Sequence, residues 1–383
     1  MNFLLSEKQI NFKKTVRAFV ESEIAPFAES FDTKNKFPEN LFKKMGKVGM
    51  TGVIVPLEYG GEGLGHIEKI IVLEEVSKHS AGVGLSLMTH FLGMSAVLYY
   101  GSEDQKARYL PGMAKGLKVC CMAITEASGG SDIANQSTNA KQSSNNSWVL
   151  NGSKRFITNA HIADYCVLTA KTETKERPDL SAFIVEGKNP GLSFGKEESK
   201  LGLRGSVTGD IFLDNLVLGN ESLLGQKGDG MKIALTCIGE IGRAGMAAIS
   251  IGIIKACIDE SLKFIYQRKI DSKSLESLQS IQFTIAESRV DYEAARALTY
   301  KAAAMKDRGV PCYTDYSVAK LFATEAAVRV ARNTIDVMGG YGIIGENPVG
   351  RFLRDALSCI PCCGTSQIQK IIISNSTFKS FNE

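Results

Sequence analysis

Glu240 stands three residues before Arg243, and Cys362-Cys363 stand directly before Gly364-Thr365. The first spacing puts a carboxylate and a guanidinium on roughly one helical face, where they read either as an ion pair or as a carboxylate placed to accept a proton. Cys363 reads as a small apolar side chain unless its pKa is lowered enough for the thiolate to serve as a base. Met122-Ala123-Ile124-Thr125-Glu126, followed by Gly129-Gly130-Ser131-Asp132, end a strand pattern in a glycine turn that exposes backbone donors and two hydroxyls. The four histidines (His66, His79, His90, His161) are scattered, and no metal-ligand spacing occurs, so neither a zinc site nor a Ser-His-Asp triad is expected. Chemistry in this chain therefore needs a borrowed cofactor or a carboxylate.

The elements that would position these residues come from a chain of 383 residues, long enough for two or three domains with large interiors. Lys plus Arg (45) nearly balances Asp plus Glu (41), without a basic block, so nucleic acid and charged membrane surfaces are not expected partners. Nine cysteines, an odd number with adjacent pairs at Cys120-Cys121 and Cys362-Cys363, point to reduced thiols in a cytoplasmic setting. The longest apolar stretches read as interrupted by Glu, Lys or Arg, which argues against a membrane-spanning helix. Phe3 to Leu5 are too few to form a targeting segment.

Residues 6 to about 116 read as helices, opened by a Ser6/Gln9 capping box and broken by a loop at Gly60-Gly61 and Gly63. Helical runs are expected at 68–77 and 92–100, with a small-residue segment at 80–86 between them. From Lys118 the pattern changes to strands at 119–125, 148–150, 154–158, 165–169, 182–185 and 210–213. Asn151-Gly152 predicts a hairpin turn, and the polar stretch 135–147 predicts a loop. After Gly230, helices are expected near 231–268, 279–309, 314–338 and 366–380, with Gly309 and Gly339 as C-caps and Thr314 as an N-cap. The expected domains are 1–117, 118–229 and 230–383.

The glycine-turn segment, Phe156-Ile157-Thr158-Asn159, Arg243, Gln279, Gly339-Gly340-Tyr341-Gly342, Arg354-Asp355 and Gly364-Thr365-Ser366-Gln367 keep an order and spacing that resembles the acyl-CoA dehydrogenase family from end to end. That resemblance implies an α+β, mostly α fold: an N-terminal helical domain, a small β-barrel domain and a C-terminal four-helix bundle, assembled as a homotetramer with one FAD per subunit. It implies that Met122, Ala123, Ile124, Thr125, Gly130 and Ser131 bind the flavin, that Phe156, Ile157 and Thr158 cover and anchor it, and that Thr365 and Gln367 complete its contacts. Ser131 would lie beside the acyl or thioester tail. Arg268, Gln279, Asp336, Gly339 and Gly340 would reach the adenine and pyrophosphate of a neighbouring subunit's FAD, where a guanidinium suits diphosphate. The chain departs from the family with Asp271-Ser272 after Arg268, where Phe-Gly is usual, and with Asp336 in place of a glutamine.

In that family a glutamate removes the α-proton of a thioester, either immediately before Gly-Thr, here Cys363, or in a minority directly before the helix arginine, here Gly242. Both seats lack a carboxylate. Glu240, with Gly239, Gly242 and Gly245 as expected open space around it, becomes the candidate general base, with a raised pKa in a dry pocket; Cys363 ranks second. Glu240, Arg243, Ser131, Cys363 and Gly364 form the expected substrate site. A displaced base suggests a small amino-acyl thioester, and the resemblance to a branch of that family implies L-prolyl tethered to an acyl or peptidyl carrier protein, oxidised to a pyrroline or pyrrole in natural-product biosynthesis. The alternatives are a short or branched-chain acyl-CoA dehydrogenase with a relocated base, and a non-catalytic flavin-binding assembly subunit.

Overall fold

The computed structural model describes residues 5–38, 40–173, 178–270 and 272–382, so Phe3, Leu4 and Asp271 lie outside the described residues. The N-terminal helices are α1 (Glu7–Glu23), α2 (Ala28–Thr33), α3 (Leu41–Lys47), α4 (His66–His79), α5 (Ala81–Tyr100) and α6 (Glu103–Ala114). Ser6 and Gln9 form the expected capping box on α1. The segment 80–86 joins 92–100 in one helix, because Ser80 caps α5 through the Val83 amide. α5 carries no Glu, Lys or Arg along its 20 residues, contrary to the reading of interrupted apolar stretches. Its length and composition would suit a bilayer span, but α4, α6, α8 and the β sheet cover it, and 94% of the helix window is buried.

The central sheet contains β1 (Cys120–Ala123), β2 (Asn139–Gln142), β3 (Ser147–Thr158), β4 (Tyr165–Glu173), β5 (Pro178–Glu186), β6 (Leu192–Glu197), β7 (Thr208–Gly219) and β8 (Leu223–Leu224). Its order is β6-β7-β3-β2-β4-β5-β8, with β1 parallel to β4. Among the described residues β6 and β8 do not pair, so the sheet is open and the expected barrel is not closed. β8 offers only two residues, too short an edge to bridge the gap. Asn151-Gly152 is not a hairpin turn: β3 runs through it and slips register against β7 between Leu150 and Gly152. The turn lies instead between β2 and β3, where Asn146 has φ +58°. The expected loop 135–147 accordingly contains β2, whose Ala140 is buried beside Trp148 in the sheet's own core.

The C-terminal part contains α7 (Gly230–Cys237), a π turn at Ile238–Gly242, α8 (Arg243–Gln267), a small β9 (Lys269–Ile270) and β10 (Lys273–Ser274) hairpin, α9 (Gln279–Asp307), α10 (Tyr313–Met338), α11 (Val349–Cys359) and α12 (Ser366–Asn382). With α7, the π turn and α8 together spanning the one helix expected at 231–268, the described residues add one helix to the four expected: α11, which carries Arg354 and Asp355. Those two do not pair with each other. Arg354 binds Asp32 of α2 and donates to Leu201 O at 3.1 Å, while Asp355 accepts the Leu203 amide at 2.6 Å. They tie three parts of the chain together. Gly309 and Gly339 end α9 and α10 with φ +70° and +55°, whereas Cys312 rather than Thr314 occupies the N-cap of α10.

One apolar core joins the N-terminal and C-terminal helices. Backbone approaches backbone closely where α4 packs on α8: a β-carbon at Gly252 would lie 2.7 Å from both Glu74 O and Lys78 N. Backbone cannot retreat as a side chain can. We expect Gly252→Ala to lower stability by about 2–3 kcal/mol, read as a shift of the urea midpoint without a change in slope.

Candidate active site

Strand β1 ends where Ile124 O accepts Lys154 Nζ at 3.3 Å. Lys154 is fully buried on β3, and it also donates to Glu126 Oε1 at 2.7 Å and Gln136 Oε1 at 2.8 Å. Burial pulls the Lys154 amine down to about 8 even though Glu126 raises it. Burial would raise the Glu126 carboxyl, but hydrogen bonds from Lys154, Ser137 and Thr138 outweigh it and hold that group at about 2. This pair fixes the turn that carries Gly130 and Ser131. The Arg155 amide donates to Thr125 O at 2.8 Å, which clamps the end of β1 against β3.

Immediately after that clamp, Phe156 has φ +59° within a register slip of β3 against β7. A bulky residue in the left-handed region costs on the order of 1–3 kcal/mol and persists only where the surrounding structure enforces it. Here it turns an aromatic ring 56% exposed to the outside, with Arg155 over it at 4.9 Å. Met122, Ala123, Ile124 and Ile157 are buried behind it, and Thr158 is half-buried at the strand end. Thr125 makes no hydrogen bond through its own amide or hydroxyl among the described residues, leaving both available. An exposed ring beside unspent donors fits a flat heterocycle such as the isoalloxazine of FAD.

The turn 360–365 approaches from the other side. Gln369 Nε2 donates to Cys363 O and Gly364 O at 3.2 and 2.9 Å, and Lys320 Nζ donates to Gly364 O at 3.0 Å. These bonds hold Cys363 at φ +54° and Gly364 at φ +95°. Thr365 accepts the Ile368 amide at 3.3 Å and starts α12, with Gln367 exposed on its first turn. A β-carbon on Gly242 would lie 2.7 Å from Cys363 Sγ, so the two family seats for a base face one another across a single small space.

Glu240 does not enter that space. It lies about 200° from Gly242 around an ideal helix, and its carboxylate is 2.5 Å from Lys306 Nζ at the end of α9. The expected room around it does not exist either. Tyr313 fills the space at Gly239, Cys363 that at Gly242 and Met88 that at Gly245. Arg243 pairs with neither candidate: it donates to Ser317 Oγ at 3.1 Å and Tyr313 OH at 2.9 Å, under the Tyr313 ring. The structure thus removes the reason for making Glu240 the base.

Glu240 belongs instead to a polar cluster with Lys69, His66, Tyr99, Lys306 and Asp307, which composition and spacing gave no means of finding. Lys69 is fully buried, 2.9 Å from His66 Nδ1. Burial pulls its amine down to about 7, opposed by Asp307 and Glu240, and burial with Lys69 and Lys306 pushes His66 down to about 2.

Two cavities lie elsewhere on the molecule. One of about 420 Å³ is lined by Arg268, Asp336, Gly339, Gly340 and Tyr341 among others, with open space where β-carbons on Gly339 and Gly340 would stand. It brings together the expected adenine-side residues except Gln279, which starts α9 nearby. The other, of about 550 Å³, is lined by Ala134, Lys171, Asp179, Met231, Lys232 and Leu235. Met231 and Leu235 on α7 and Ile238 at the start of the π turn repeat at helical spacing and lead toward Gly242. Lys171 and Lys232 at its mouth suit a phosphate-bearing arm, a signal that no short motif announced.

Replacing Lys154 by Met would leave Glu126 buried and unpaired, so we expect a loss of about 3–5 kcal/mol in denaturant titration, together with weaker FAD retention. Lys69 is depressed in the folded state, so its contribution to stability is complete above its unfolded value near 10 and is lost as pH falls toward 7. Thermal unfolding of Lys69→Met, compared with the parent from pH 7 to 9, should show the parent gaining relative to the variant.

Models of three acyl-CoA dehydrogenase domains match the chain: the N-terminal domain over residues 6–117, the middle domain over 121–216 and the C-terminal domain over 228–378. An acyl-CoA dehydrogenase of Bacillus subtilis is 40% identical over 97% of this chain and 98% of its own length. A short-chain specific acyl-CoA dehydrogenase of Clostridium acetobutylicum is 38% identical over 99% of this chain and 100% of its own. The fold superposes on butyryl-CoA dehydrogenase from Megasphaera elsdenii with a TM-score of 0.96 at 33% identity, covering 99% and 100% of the two chains. It superposes on the prolyl acyl carrier protein oxidase AnaB with a TM-score of 0.92 at 27% identity, covering 98% and 100%. The chain belongs to the acyl-CoA dehydrogenase family of FAD-dependent acyl thioester oxidoreductases.

Proposed function

We propose that this protein catalyses oxidoreduction at the Cα–Cβ bond of a short acyl thioester of coenzyme A. The observation that carries the acyl length is the packing of α5 on α8. A β-carbon at Gly245 would lie 2.4 Å from Met88 Cγ, and one at Gly242 would lie 3.6 Å from Leu92 Cδ2. Met88 and Leu92 therefore close the space beside Cys363 within about one helical turn, ~5 Å. A chain of a few carbons fits such a space.

FAD, when bound, accepts or supplies the hydride at Cβ. Met122, Ala123, Ile124, Thr125, Gly130, Phe156, Ile157, Thr158, Thr365 and Gln367 would hold its ring, while Ser131 and the cavity beside α7 would take the thioester arm. Arg268, Gln279, Asp336, Gly339 and Gly340 would hold the adenosine diphosphate half of an FAD shared with a neighbouring subunit. Exposed Ile371, Phe378 and Phe381 on α12 support assembly into a homotetramer. Nine cysteines without a disulfide suit a reducing cytoplasm.

The prolyl carrier-protein reading loses its support, because it grew from Glu240 as a displaced base. The likeness to AnaB is one of a fold that butyryl-CoA dehydrogenase shares at higher identity. Lys171 and Lys232 suit the phosphate of either carrier.

Anaerobic bleaching of the flavin band separates the readings. Butyryl-CoA should react with a kcat/KM at least about tenfold above that of octanoyl-CoA, with L-prolyl carrier protein inert. Reaction with the prolyl carrier protein alone would restore the carrier reading. Silence toward all three, and failure of crotonyl-CoA to reoxidise the reduced flavin, would mark a non-catalytic assembly subunit.

A further inference from the structure

We propose that Cys363 is the group that exchanges a proton with the α-carbon, and that it does so as a resident thiol able to protonate a 2-enoyl thioester during its reduction. This rests on the short acyl thioester reading above. Three geometric observations carry it. Cys363 Sγ occupies the single space shared by both seats, 2.7 Å from where a Gly242 β-carbon would be. Its backbone is held in the left-handed region from both sides by Gln369 and Lys320, through the carbonyls of Cys363 and Gly364. Its proton has no acceptor among the described residues, in contrast to the Cys362 thiol, which donates to Ser358 O. A constrained, uncommitted S–H beside a short acyl pocket is placed to act on a ligand.

Its proton affinity stands raised to about 12: burial contributes most, the neighbouring Cys362 acts in the same direction, and Lys320 of α10 and Arg243 of α8 oppose them. At pH 7 a thiol of that kind is ionised in only about one molecule in 10⁵. It is therefore in the state that reduction uses. The step balances as follows: the Cα=Cβ double bond becomes single, Cβ gains a hydride from reduced FAD, Cα gains the proton of Cys363, and the thiolate regains a proton from solvent. Oxidation is the reverse and must begin from the rare thiolate.

This acid leaves a signature in pH. Oxidising an acyl thioester by hydride transfer releases one proton, so the balance between the two directions shifts about tenfold per pH unit. An ionised carboxylate base would place that dependence in the reductive rate. A protonated thiol places it in the oxidative rate.

The test uses the FAD-loaded protein. Butyryl-CoA oxidation should rise about tenfold per unit from pH 7 to 9, while crotonyl-CoA reduction, after dithionite reduction of the flavin, stays level. Cys363→Ala should lose at least about 100-fold in both directions. Cys363→Glu should raise oxidation at pH 7 and flatten its pH profile. A readout independent of turnover is alkylation of Cys363 by iodoacetamide, followed by mass spectrometry: its rate should climb without a plateau to pH 9, and butyryl-CoA should slow it at least about tenfold. Cys363→Ala and Cys363→Ser that both match the parent in rate and pH profile would overturn the proposal and leave the thioester reading standing. Absence of any thioester reaction in the parent and in Cys363→Glu would overturn both.

Discussion

The close approach of the turn before α12 to the π turn between α7 and α8 governs the rest of the site. It depends on Gly242 having no side chain, because Cys363 Sγ fills that volume, and on Gly239 and Gly245 admitting Tyr313 and Met88 in the same way. A π turn widens the helix by one residue and often accompanies a functional site. Here it turns Glu240 toward α4 and α9 while Gly242 faces Cys363. One local change of helical pitch thus separates a charged cluster from an uncharged reaction space.

The charged cluster and the β turn use the same physics for different ends. Lys154 with Glu126 and Lys69 with its neighbours are buried amines kept tolerable by nearby carboxylates. The first fixes the turn that carries Thr125 and Gly130. The second braces the ends of α4, α5 and α9 around Glu240, which explains why a carboxylate near the helix arginine is structural.

Much of this was legible in residues that obey local rules. Ser6 with Gln9, and Gly309 and Gly339 at helix ends, act through contacts within a few residues, so pattern alone places them. Residues 122–125 and 156–158, expected at a flavin ring, meet where the Arg155 amide bonds Thr125 O, and Arg268, Asp336, Gly339 and Gly340 share one cavity. What pattern could not show was set by tertiary contact. Asn151-Gly152 looks like a turn until β7 pairs through it, and α5 looks bilayer-like until three helices cover it. Three glycines near Glu240 suggested open space because sequence records a missing side chain but not the neighbour that takes its place.

Replacing the family's carboxylate with a thiol changes which proton-transfer state the protein rests in, without disturbing the scaffold that aligns flavin and acyl chain. The most direct measurement is a crystal structure of the FAD-loaded protein with butyryl-CoA or a non-reactive analogue bound. The account predicts Cys363 Sγ within about 4 Å of Cα, with Glu240 still on Lys306. A carboxylate at hydrogen-bond distance from the α-proton, with Cys363 turned away, would contradict it.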